Sequence, residues 1–142
     1  MSDIVLNITR LLDAPPERVF GAWMERAQWA SWIGPAGVRC DVPVHEPWVG
    51  GRYRLVMHLE RGDMAVVGVF RIVERPNRIA FTWMMEGGTH DSLVTIDLAA
   101  AAGGRTALSL RHDGLLTADN RDQHGRGWES TLGKLEAFLG EG

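Results

Sequence analysis

Five histidines, one cysteine and a diglycine are the residues whose chemistry this sequence could use directly. The histidines stand at positions 45, 58, 90, 112 and 124. None is paired at i, i+4 with a carboxylate between, the arrangement that puts two imidazoles on one helical face around zinc. Only His45 has the single cysteine, Cys40, nearby in sequence. The spacing therefore predicts no metal site and no cofactor. Cys40 falls in a run that reads as a strand, where a buried thiol is inert, and no Gly-x-Ser-x-Gly nucleophile elbow is present. Gly50-Gly51 lacks the continuation of a phosphate-binding loop. It reads as a bend or bulge entering the strand that carries Tyr53.

His112 and His124 are the pair of interest. His112 follows Leu108 and Leu110 at period two, onto the inward face at the end of a strand. His124 precedes Trp128 by one helical turn, so the two rings are expected to meet at one end of a cavity. Three readings apply: two hydrogen-bonded structural histidines, polar anchors of a ligand site, or a general acid/base pair. The first is preferred. His112 is expected to be the more perturbed, because a strand end facing a cavity is drier than the first turns of a helix.

The elements that must position these residues are legible from periodicity. Residues 4–12 carry Ile4, Leu6 and Ile8 at period two, a strand. Asp13-Ala14-Pro15-Pro16 turns the chain, and Val19, Phe20 and Trp23 predict a short helix over 16–24. Trp29 and Trp32 predict a second over 26–33, ended by Gly34-Pro35. Six alternating runs follow. They comprise 38–45, then Tyr53 to Leu59, then Val66, Gly68, Phe70 and Ile72, then Ile79, Phe81, Trp83 and Met85, then 94–98 and 108–112. Short turns such as Arg61-Gly62-Asp63 and Arg75-Pro76-Asn77 separate them, as in an antiparallel meander. Arg54 and Arg71 fall on the outward face and are expected to be solvated. From about 119 to 139 the period changes, and His124, Trp128, Leu132, Leu135 and Phe138/Leu139 share one helical face. The sheet has one apolar face to cover and one long helix to cover it. The expected class is α+β: a curved antiparallel sheet wrapped around a long C-terminal helix, with two short helices after the first strand.

Composition limits the partners. At 142 residues and 15.7 kDa, with 45% hydrophobic and 23% charged residues, the chain reads as one globular domain over 1–142. Fifteen Lys and Arg against eighteen Asp and Glu leave a net charge of −3, which argues against a nucleic-acid surface. No apolar run approaches the roughly 18 residues of a membrane span, and the Met1-Ser2-Asp3-Ile4 start has no signal-peptide pattern. The expected location is the cytoplasm, with no membrane partner. A homodimer stays open. Six Trp and six Met must be buried, line a cavity or form an interface.

Particular residues then point further. Arg10-x-x-x-Ala14-Pro15-x-x-x-Val19-Phe20-x-Ala22-Trp23 leads to Trp32 ahead of Gly34-Pro35. Val49-Gly50-Gly51-x-Tyr53 and Gly68-x-Phe70-x-Ile72 lead to Pro76-x-Arg78-Ile79-x-Phe81-Thr82-Trp83. Thr106-x-Leu108-x-Leu110-x-His112 is followed by His124-x-x-Gly127-Trp128-x-x-x-Leu132-x-x-Leu135. In this order the segments resemble the START-like (birch-pollen-allergen-like, SRPBCC) helix-grip superfamily. Within it they look most like the AHSA-type family, named after the activator of the heat-shock-chaperone ATPase. That fold hosts lipid and hormone binders, cyclases and hydratases, and co-chaperone domains.

The preferred expectation is a module that binds a small hydrophobic molecule between sheet and C-terminal helix, without chemistry of its own. Candidate cavity residues are Trp23, Tyr53, Met57, Phe70, Trp83, Met85, His112, His124 and Trp128. Whether the large aromatics only fill the core depends on how completely sheet and helix close. One alternative is a cyclase or hydratase with His112 or His124 as base, against which stands a shortage of inward carboxylates. The other, implied by the resemblance, is a co-chaperone or stress-response interaction domain. The chain has no room for the extra N-terminal domain of the longer eukaryotic proteins, which weighs against a chaperone partner.

Overall fold

The computed structural model describes residues 4–141, so Met1, Ser2 and Asp3 of the start considered above, and the last residue of the 1–142 span, lie outside the described residues. Strand β1 (Ile4–Leu12) is followed by α1 (Pro16–Met24) and α2 (Arg26–Trp32). Six strands then run as β2 (Arg39–His45), β3 (Arg52–Leu59), β4 (Gly62–Glu74), β5 (Arg78–Met85), β6 (Ser92–Ala101) and β7 (Arg105–Leu115), before α3 (Ala118–Gly140). The strands form one antiparallel sheet in the order β1-β7-β6-β5-β4-β3-β2. Each strand after β2 simply pairs with its predecessor, and β1 closes onto β7. This is the expected helix-grip architecture.

Local chemistry explains the element ends. Pro16 starts α1, where its missing N–H loses no helical bond. The Thr117 hydroxyl accepts from the Asn120 N–H and caps α3. The diglycine is a bend, as its sequence suggests: Gly50 has φ 86°, and the Gly50 N–H and Gly51 carbonyl pair with Phe70 of β4 at 2.8 Å. A Cβ on Gly51 would overlap the Glu46 carbonyl.

Three expectations are corrected. The β3–β4 hairpin turns at residues 60–61, because Leu59 already pairs with Gly62. Ile72 does not continue the inward set of Val66 and Phe70. A register shift between Phe70 and Ile72 changes the phase, and Val73 packs on the core instead. Arg54 is not merely solvated, since its guanidinium makes two 2.8 Å bonds to Glu86.

Width decides how the sheet is covered. Seven strands at about 4.8 Å spacing span roughly 29 Å, whereas one helix with its side chains is about 10–12 Å across. The backbone of α3 lies close to β1 and β7, while α1 and α2 approach β6, β7 and β2. Large aromatics fill the middle: Phe20, Trp23, Trp29, Trp32, Tyr53 and Phe81 are fully buried. On the β3–β5 side the helix and the sheet diverge.

At that end of the sheet His58 joins three strands. Its Nε2 is 2.6 Å from Asp41 Oδ2 on β2, and its Nδ1 is 2.8 Å from Asp63 Oδ1 on β4. Arg39 also lies 3.7 Å from Asp41. The two carboxylates raise the His58 pKa above 6.5, and the His58 bond lowers that of Asp41 below 3.8. A raised histidine pKa contributes stability that is present below the unfolded value and lost as pH climbs through the folded one. A lowered carboxylate pKa contributes stability present above the unfolded value and lost as pH falls. The cluster should therefore help most between about pH 4 and 6.5. We expect the difference in Tm between wild type and His58→Gln to shrink as pH rises from 6 to 8.5. A difference that stays constant would show that the charge is irrelevant there.

Candidate functional site

The divergence of α3 from the sheet leaves a pocket of about 190 Å³. Its sheet wall is Leu55 and Met57 of β3, Met64 and Val66 of β4, and Trp83 and Met85 of β5. Its helix wall is Gln123, His124, Gly127, Trp128 and Thr131, and Ile33-Gly34-Pro35 closes one end. Met85 and Gln123 are exposed and form the rim. The Trp83 and Trp128 rings face each other with centroids 5.1 Å apart and tilted by 50°.

Of the nine candidates named from sequence, Met57, Trp83, Met85, His124 and Trp128 lie on this pocket. The structure places Trp23, Tyr53, Phe70 and His112 behind its wall. Trp23 packs against Trp32 and Phe81, while Tyr53 and Phe70 pack against each other and Phe81. Met85 is 42% exposed. Alternation put it inward, but near its end β5 runs past the covering helix.

The two histidines do meet, with ring centroids 5.0 Å apart and planes at 81°, and their roles separate. His112 is fully buried. The Trp128 indole N–H donates to its Nδ1 at 3.1 Å, and indole nitrogen can only donate, so the ring proton sits on Nε2. That Nε2–H donates to Ser92 Oγ at 2.8 Å, and the Ser92 hydroxyl donates to the Trp83 carbonyl at 2.8 Å. This chain ties the strand of one pocket tryptophan to the ring of the other. Burial, reinforced by His124, pushes the His112 pKa down to about 3. Its lone pair is taken and its protonation disfavoured, which makes it a poor general base.

His124 differs. Its Nδ1 lies 2.8 Å from the Asn120 carbonyl, which can only accept, so Nδ1 carries a proton. Nε2 has no protein partner among the described residues. Neither the Ser92 link nor the role of Thr131, a pocket residue 3% exposed, was visible in sequence. Ser92 precedes its strand's apolar alternation, and Thr131 sits beside the expected stripe.

Cys40 is buried, and burial raises its thiol pKa, as suits an inert thiol. No helix among the described residues is long and apolar enough to cross a membrane.

With the geometry established, comparison with known proteins decides the family. The model of the family described as Activator of Hsp90 ATPase homolog 1-like protein matches residues 13–140. The chain belongs to the Activator of Hsp90 ATPase homolog 1-like family. Solved structures of similar shape include a protein from Chromobacterium violaceum, 29% identical, covering 95% of this chain and 96% of that one with a TM-score of 0.88. The AHSA1 protein from Silicibacter pomeroyi is 26% identical, with coverage of 96% and 98% and a TM-score of 0.84. A Staphylococcus epidermidis protein, 18% identical with coverage of 99% and 92%, shares the fold at a TM-score of 0.85. Comparison with curated proteins finds no match. The Hsp90-activator-like family and its SRPBCC superfamily commonly bind ligands.

Proposed function

We propose that this protein binds a small hydrophobic molecule in the pocket between β3–β5 and α3, without chemistry of its own. The observation that supports this reading is the pocket itself: about 190 Å³, lined mainly by apolar side chains and faced by two tryptophans. An apolar cavity of about 150 Å³ is enough to hold a benzene ring. The enzyme reading loses one of its two candidate bases, because the His112 lone pair already receives the Trp128 N–H.

Gly127 supplies a direct test. It lies in the middle of α3 and on the pocket wall, and a Cβ built there meets nothing within 4 Å. Glycine at such a position costs about 1 kcal/mol of helix stability relative to alanine. Gly127→Leu should therefore fold at least as stably as wild type while its side chain fills the pocket. Toluene at about ten times its Kd should stabilise wild type by about 1.4 kcal/mol, a rise of a few degrees in Tm. In Gly127→Leu that rise should vanish. Trp83→Ala should alter toluene affinity, because it removes half of the aromatic wall. If toluene leaves the wild-type Tm unchanged, the binding reading is wrong.

A further inference from the structure

We infer that the ligand is uncharged and carries a hydrogen-bond donor that ends on His124 Nε2. This rests on the binding reading above and adds the chemical class of the ligand. No Asp, Glu, Lys or Arg lines the pocket. Lys134, behind its Ile33-Gly34-Pro35 end, donates to the carbonyls of all three residues at 3.1–3.4 Å. An anionic ligand would have to leave water for a site that offers no free cation, which is far costlier than burying a neutral molecule.

At the exposed rim the Gln123 amide meets water; within the pocket lining two further polar groups have no protein partner among the described residues. One is the Thr131 hydroxyl, on a residue 3% exposed. A hydroxyl serves as donor or acceptor and so imposes no charge on what it meets. The other is His124 Nε2. Because Nδ1–H is committed to the Asn120 carbonyl, Nε2 is the accepting position of the neutral ring, and an O–H or N–H on the ligand satisfies it. A ligand without that donor leaves a polar nitrogen facing apolar surface, which is how a site built for hydrogen bonding discriminates.

The experiment is a calorimetric titration at pH 8 with three ring-sized probes: p-cresol, toluene and p-toluate. In wild type p-cresol should bind about three- to tenfold more tightly than toluene, the fold-change expected of one net hydrogen bond, and p-toluate should not bind detectably. His124→Phe keeps an aromatic ring without nitrogens, and should bind p-cresol and toluene equally. His124→Gln, which restores an amide oxygen, should recover part of the preference and covers the case in which the Phe variant does not fold. Toluene binding as tightly as p-cresol in wild type, tight binding of p-toluate, or a preference that survives in His124→Phe would each overturn the inference while leaving the binding reading intact. Binding of none of the three probes would count against that reading instead.

Discussion

Truncation after Asn120 is expected to leave insoluble or molten protein. The deleted segment contains Trp128, Leu132, Leu135 and Leu139, all buried against the sheet, with Leu132 and Leu135 fully so. Removing one large buried side chain commonly costs about 2–5 kcal/mol, and a domain holds only about 5–15 kcal/mol in total. Loss of four such groups, about 8–20 kcal/mol together, is as large as that whole margin. The truncation also removes the Trp128 N–H from His112, leaving a buried acceptor unpaired. Near-UV circular dichroism and amide dispersion in a proton–nitrogen NMR spectrum would report the outcome. Leu132→Ala is the graded version, with an expected loss of about 2–5 kcal/mol in chemical denaturation. A truncated chain with sharp tertiary signals would show that α3 is dispensable and refute its role as the core's lid.

The second large effect is expected at Gly68. Here the β4–β5 ladder is completed by side chains: the Tyr53 hydroxyl donates to the Thr82 carbonyl at 2.5 Å, and Thr82 Oγ1 accepts the Val69 N–H at 2.8 Å. The phenol reaches that carbonyl only because residue 68 has no side chain. A Cβ there would overlap both the Thr82 carbonyl oxygen and the Tyr53 ring. Neither can retreat easily, since one is backbone between paired strands and the other is fully buried among Trp29, Phe70 and Phe81. Gly68→Ala should therefore cost about 3 kcal/mol or more, the upper end for overpacking. Tyr53→Phe removes the donor from a buried carbonyl and should cost about 1–3 kcal/mol. Because the lost hydroxyl is one of the groups the new methyl strikes, the double variant should be less destabilised than the sum of the singles. Strict additivity in a urea-denaturation cycle would mean that the two residues do not share this contact.

These contacts show where reading the sequence stops. Alternation placed Tyr53, Phe70 and Phe81 inward correctly, because a strand's period of two is a local steric property. Ile72 broke the pattern because one inserted residue reverses the phase of everything beyond it, and that insertion is defined only by the partner strand. Met85 broke it for a different reason: its side chain points as expected, but the helix does not extend over it. Within an alternating run Gly68 carries no signal of its own, since the reason for a glycine lies in a tyrosine fifteen positions away.

The candidate site divides in the same way. His112 and His124 could be paired from sequence, because one ends an inward strand face and the other begins an inward helical face. Their division of labour could not. It depends on which nitrogen meets the Trp128 indole, the Ser92 hydroxyl or the Asn120 carbonyl, and hydrogen-bond direction is a matter of angstroms in three dimensions. The His58 cluster leaves no mark in the sequence, because Asp41, His58 and Asp63 lie on three strands whose register only the sheet sets.

Element order, the antiparallel sheet and the long covering helix all follow from local periodicity and turn chemistry, and the order and spacing of the motifs point to the family. The existence of a pocket, its place and the side chains that face it emerge from three-dimensional packing alone. Those answers come from the mismatch between a sheet roughly 29 Å wide and a helix about 10–12 Å across, and from the side chains available to fill the remainder. Trp23, Tyr53 and Phe70 fill it. Trp83 and Trp128 leave space between helix and sheet, with Gly127 keeping one wall open.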